Sequence, residues 1–195
     1  MEPPHEAICP YRTVQCPDLK CNSLISLNSL LEHIKLEHKF ALWLGKLDEN
    51  SVARQYWNIK SDKNFQSDAS NTWVLTIWSF EGNSYVAVFM RASGLWYSWV
   101  YILSHFREAA KYVYEIRITN PERKSSNYYV SVTHPIDDKA KDVMESHNCF
   151  VMTDETVKQY MTKSGLSEER IKEGYDYTLP IEYKIRKMTK REANM

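Results

Sequence analysis

The stretch CPDLKCNSLISLNSLLEHIKLEH, residues 16–38, constrains the fold more than any other part of the chain. Cys16 and Cys21 are separated by four residues, His33 and His38 by another four, and eleven residues lie between the pairs. Zinc prefers four tetrahedral sulfur and nitrogen ligands, and a pair before a helix plus a pair at its end supplies them. Between the pairs, Leu27, Leu30, Leu31 and Ile34 recur at i, i+3, i+4 and i+7, the period of an amphipathic helix. A segment this short buries too little apolar surface to fold alone, so a bound metal would contribute much of its folding free energy. The alternative is a plain amphipathic helix preceded by unrelated cysteines. All four candidate ligands fall in one 23-residue window, which favours a Zn2+ site made of Cys16, Cys21, His33 and His38.

At 195 residues the chain fits one or two domains, and a hydrophobic fraction of 43% is enough for a real core. Lys plus Arg and Asp plus Glu both number 25, a balance that argues against a phosphate backbone or an anionic membrane as the main partner. Cys9, Cys16 and Cys21 cluster with His5, His33 and His38 near the N-terminus, a pattern of metal ligation in a reducing compartment rather than a disulfide framework. The opening MEPPHEAICPYR has no apolar h-region of a signal peptide, and no run reaches the roughly 18 apolar residues of a membrane span. These features lead us to expect a soluble protein of the cytoplasm, and of the nucleus as a further location.

Upstream of the main cluster, His5 and Cys9 form half a metal site, either the last two ligands of a first finger cut short or plain surface residues. From residue 40 the character changes. FALWLGKL (40–47) reads as a first strand and SDKNFQSDASN (61–71) as a polar loop. TWVLTIWSF (72–80), the turn EGNS and YVAVFMR (85–91) form a hairpin pattern. LWYSWVYIL (95–103) is apolar on both faces. In YVYEIRITN (112–120), Tyr112, Tyr114, Ile116 and Ile118 alternate with Glu115, Arg117 and Thr119, and NYYVSVTH (127–134) follows the turn PERKSS. Short strands with frequent turns and no interleaved helices predict an antiparallel sandwich. CFVM (149–152) reads as a short strand, and DETVKQYMTKSG as one helix with Asp154 as N-cap and Gly165 as C-cap. The segment LSEERIKEG reads as charged and exposed, and YTLPIEYKIR (177–186) as a closing strand whose Pro180 implies an edge or bulge.

No reaction assembles from the motifs. Glycine-rich phosphate loops, GxSxG and HExxH are all missing from the sequence. Cys149 lies near His147 and His134, but a buried structural thiol is the simpler reading than a nucleophile. Asp137 and Asp138 in HPIDDK read as a turn. The helix of the finger carries Glu32 and Glu37 against Lys35 and has no arginine, so a structural or protein-contact role is favoured over reading DNA.

In these residues the chain resembles the seven-in-absentia (SIAH/SINA) family of ubiquitin ligases. The order HEAIC, PYRTVQCPDLKC, a helix ending HIKLEH and then an aromatic-rich β region matches that family. There, a RING finger precedes two cysteine/histidine fingers and an eight-stranded TRAF-like sandwich that binds substrates and dimerises. The resemblance implies that Cys16, Cys21, His33 and His38 are the second finger's ligands and that His5 and Cys9 are the first finger's last two. No RING-type ligand set precedes His5, so the chain is expected to lack the part that recruits the ubiquitin-conjugating enzyme and not to transfer ubiquitin itself.

The expected architecture is mainly β. A SIAH-type zinc-finger region over 1–39 (first finger truncated, second complete) precedes a TRAF-like antiparallel sandwich with one short helix over 40–188 and a polar tail over 189–195. The implied function is recognition of peptide degrons by a homodimer, directing bound proteins to ubiquitination and proteasomal degradation. A RING-less adaptor or competitor in TRAF-like signalling is the alternative, and a nucleic-acid-binding finger protein a weaker one. Trp73 and Leu75, on one face of an early strand, are the candidate substrate-groove residues, with ordinary sandwich core as the competing reading.

Overall fold

In the computed structural model, residues 5–18, 21–38, 45–46, 52–66, 71–189 and 192 are described, with the backbone alone at 7, 45–46, 62 and 71–75. The finger is built first. A short helix α1 (His5–Ile8) leads into β1 (Thr13–Gln15), which pairs antiparallel with β2 (Leu24–Ser26). A single 3-10 turn over Leu27–Ser29 then feeds α2 (Leu30–Glu37). The apolar period predicted here is visible in burial: Leu30 and Ile34 are fully enclosed, while Leu27 and Leu31 pack against the same core from its margin.

Two sheets follow, antiparallel except for two short parallel pairings. β3 (Gly45–Lys46) precedes β4 (Val52–Ile59) and a helical turn α3 (Ser61–Asn64), and it lies side by side with β5 (Asn71–Phe80), β6 (Asn83–Ala92) and β7 (Leu95–Ile102). Two tight hairpins join the central strands. Glu81 and Gly82 have φ of 48° and 79°, and Ser93 and Gly94 have 50° and 76°, so both turns bend in the left-handed sense that matches strand twist. After α4 (Phe106–Ala109) come β8 (Tyr112–Asn120), β9 (Ser125–Val132) and β10 (His134–Pro135). The chain closes with α5 (Ala140–Glu145), β11 (Phe150–Thr153), α6 (Asp154–Tyr160), α7 (Glu168–Lys172) and β12 (Tyr177–Lys187). β10 and β11 share the outer edge of β7, and the second sheet runs β4-β12-β8-β9.

The two sheets meet through aromatic side chains. Trp78 of one sheet lies 5.1 Å from Tyr183 of the other, centroid to centroid, and Trp57 stacks on Phe89 at 5.3 Å. The Ser98 hydroxyl and the Tyr183 phenol are 2.9 Å apart across the same core. β8 alternates as its sequence predicts, with Tyr114, Ile116 and Ile118 buried and Arg117 exposed.

Several local expectations change. Short helices punctuate the strands, in place of one. The helix after β11 stops at Tyr160, with Met161 already extended, because Thr162 bridges to Thr178 and pulls the chain into a strand-like path. Its N-cap is Thr153, whose hydroxyl accepts from the Thr156 N–H, and Asp154 is released for another partner. Gly165 sits beyond the helix at φ +85°, where a Cβ would come 2.9 Å from the Tyr56 ring. Pro180 is not on a sheet edge: β12 is an inner strand, and its pairing with β8 begins one residue later, at Ile181. A proline is accommodated where that ladder ends. Residues 61–64 form a helical turn within the expected loop, and most of the expected strand at 40–47 lies outside the described residues.

Candidate metal centre and protein-contact surface

The β1–β2 hairpin delivers Cys16, buried at the end of β1, and the connection beyond it delivers Cys21. Two backbone hydrogen bonds shape that connection: the Cys16 N–H donates to the Ser23 carbonyl at 3.1 Å, and the Cys21 N–H to the Asp18 carbonyl at 2.8 Å. α2 carries His33 in its first turn and ends on His38 as its C-cap. The four side chains converge. Cys16 Sγ lies 3.3 Å from His38 Nε2, Cys21 Sγ lies 3.4 Å from His33 Nε2, and the two Nε2 atoms are 3.1 Å apart. All four donor atoms fall within 4.8 Å of one another, and the group could hold a metal ion.

A fifth residue, which the sequence reading missed, orients the set. Asp18 is 7% exposed, and its Oδ2 lies 3.1 Å from His38 Nδ1. A carboxylate on the far nitrogen of a histidine fixes the ring and directs the other nitrogen's lone pair toward a ligand. The only sequence signal for this role is an aspartate between the two cysteines. Burial pushes the Cys16 thiol up to about 12, so at neutral pH it stays protonated unless a cation balances the thiolate. His5 lies in α1 and Cys9 follows it; among the described residues neither belongs to a group of three or more potential ligands.

Cys149 is buried, and burial pushes its thiol up to about 11, the opposite of what a nucleophile needs. His134 faces oxygens with both ring nitrogens, Nδ1 to Asp138 Oδ2 at 3.1 Å and Nε2 to the Asn148 carbonyl at 2.8 Å. Asp137 accepts from Arg12 of the finger, so the HPIDDK turn is also a contact point between finger and sandwich.

Trp73 and Leu75 lie on β5, where pairing with β6 shifts register between Trp73 and Thr76; their side chains lie outside the described residues. On the other side of β5, pairing among the described residues is limited to β3 at Trp78 and Ser79. Among the described residues no helix is long and apolar enough to cross a membrane.

A comparison with curated proteins gives no match. Residues 85–171, which run from β6 to α7, match the family model described as "Sina, TRAF-like domain". A TRAF-like domain on this two-sheet frame points to protein–protein interaction, and the match supports a SIAH/TRAF-like family for the chain.

Proposed function

We propose that the chain is the substrate-recognition and dimerising module of a SIAH-type ubiquitin ligase, with ubiquitin transfer supplied by a RING. The observation that carries this reading is the Sina TRAF-like match, lying across strands of both sheets. The binding route is strand addition. An extended peptide would pair with the outer edge of β5, backbone hydrogen bonds giving affinity and the region of Trp73 and Leu75 giving side-chain specificity. The second sheet offers a route to dimers: among the described residues β9 has a strand partner on one side only, and it exposes Tyr128, Val130 and Val132.

In this reading the finger over residues 1–39 is a structural Zn2+ site attached to the sandwich of 40–188. Zn–S bonds of about 2.3 Å and Zn–N bonds of about 2.0–2.1 Å give tetrahedral edges of about 3.6 Å for S···N and about 3.3 Å for N···N. The 3.3, 3.4 and 3.1 Å separations fit those edges to a few tenths of an ångström. Zinc would fix the fold of the finger and would take no part in bond making. α2 supports the protein-contact role over nucleic-acid binding, since Glu32 and Glu37 flank its Lys35.

The test is selection of a peptide display library on the immobilised chain. Extended peptides with a shared consensus are expected, and they should lose binding to Trp73→Ala and Leu75→Ala variants that retain the wild-type melt. Enrichment no better than on a blank surface would sink the recognition role. Sedimentation equilibrium tests the dimer: Val130→Lys should yield monomers, whereas an unchanged dimer would move the interface off β9.

A further inference from the structure

A cavity of about 610 Å3 opens at one end of the sandwich, and among the described residues none of the metal-centre side chains lines it. Its floor is apolar: Phe65, Met161 and Tyr177, each half-buried. Its rim is cationic, with Arg123 from the β8–β9 turn, Lys158 from α6 and Lys163 beyond it, all exposed.

The surrounding hydrogen bonds preorganise this arrangement. Asn120, 2% exposed, donates to the Gln159 carbonyl at 2.8 Å and accepts from the Arg123 N–H at 3.0 Å, tying the turn to α6. The Thr162–Thr178 bridge holds Met161 and Lys163 against the start of β12. Phe65 packs on Trp96 at 5.5 Å between centroids, and Lys158 Nζ lies 4.8 Å from the Phe65 ring centroid.

The nearby carboxylates already have hydrogen-bond partners, Thr162 and Ser61 of the lining among them. Glu122 accepts from the Thr162 hydroxyl, and both oxygens of Asp176 accept from Ser61, through its N–H and its hydroxyl. Asp154, one turn before Lys158, is bound by Arg91 and Trp96. Among the described lining residues, three cations therefore face one carboxylate.

A lone anion would leave the apolar floor bare, and a neutral apolar ligand would leave the cations unused. We infer that this cavity takes an acidic peptide segment of a partner protein, seating an apolar side chain on Phe65, Met161 and Tyr177 and an adjacent carboxylate or phosphate against Arg123, Lys158 and Lys163. The volume lies in the range of ligand pockets, about 300–1,000 Å3, and the open rim lets a chain segment enter without threading. The site takes its charge from Arg123, Lys158 and Lys163 and is proposed as distinct from the β5 edge.

The experiment uses the full chain and fluorescein-labelled peptides in anisotropy titrations. One peptide carries a leucine flanked by glutamates, a second replaces one glutamate with phosphoserine, a third has glutamine at every acidic position, and inorganic phosphate is the competitor. Both acidic peptides should bind, the glutamine peptide should bind much more weakly, and added salt should loosen the complexes. Tighter binding of the phosphoserine peptide assigns the anion as phosphate, and equal binding assigns it as carboxylate. The Lys158→Gln/Lys163→Gln double variant, with an unchanged melt, should lose about tenfold in affinity. Trp73→Ala should retain the acidic peptides, which separates this site from the proposed groove. Equal binding of the glutamine peptide, an unaffected double variant, loss of binding in Trp73→Ala, or equal protection by inorganic phosphate alone would each overturn the inference.

Discussion

Arg91 shows how one residue can determine the role of another far along the chain. Its side chain is 1% exposed, and its Nε and Nη2 reach the two oxygens of Asp154 at 2.8 and 2.7 Å. Trp96 Nε1 donates to the same carboxylate at 2.6 Å, and Arg91 Nη1 donates to the Gln66 carbonyl at 2.9 Å. Removing one member of such a pair leaves a buried charge without its counterion, so Asp154→Ala should cost about 3–5 kcal/mol in denaturant melts. The hydrogen bonds from Arg91 hold the Asp154 carboxyl below its ordinary range. A carboxylate with a depressed folded-state pKa contributes stability above its unfolded value, about 3.9, and that contribution is lost as pH falls through the folded value. The wild type should therefore lose stability below about pH 4 more steeply than Asp154→Asn. Matching acid limbs in thermal melts of the two proteins would refute this account.

Among the elements, the finger is the most legible in sequence because its determinants are local. Ligand spacing and a helical apolar period in one window anticipate a helix carrying Leu30 and Ile34 inward and a gathering of Cys16, Cys21, His33 and His38. β8 was legible for the same reason, since alternation is written in its own residues. What the sequence hid depends on distant partners. Pro180 implied an edge, but β4 and β8 flank β12 and leave the proline where one ladder ends. Asp154 implied a cap, but Arg91, 63 residues away, claims it. The cationic cavity draws on α3, β8, α6 and β12, which no sequence window contains. The local character of the finger yields its own prediction. Cys16→Ser or His33→Ala should abolish metal retention and the helical signal of α2 while most of the β signal survives. Circular dichroism with metal analysis by mass spectrometry checks it, and wild-type metal content in either variant would exclude that residue as a ligand.

For the whole molecule, the question is how firmly the finger is joined to the sandwich. Two kinds of contact span the junction. Val14, Leu30 and Ile34 belong to the same buried cluster as the sandwich core. Arg12 forms a two-pronged pair with Asp137, Nε to Oδ1 at 3.2 Å and Nη2 to Oδ2 at 2.9 Å. The Asp137 side chain is 46% exposed, so water screens the pair and its share of stability should stay below about 1 kcal/mol. Leu30→Ala, which empties a fully buried site, should cost about 2–5 kcal/mol. Apolar burial therefore holds the finger on, and the ion pair is expected to set its angle. Arg12→Ala should leave the melting temperature nearly unchanged yet raise amide exchange in β1, the strand that follows Arg12 directly. Asp137→Ala should raise it equally, and the double variant should add nothing further. Additive exchange in the double variant would show that the two residues act independently and that the pair does not orient the finger.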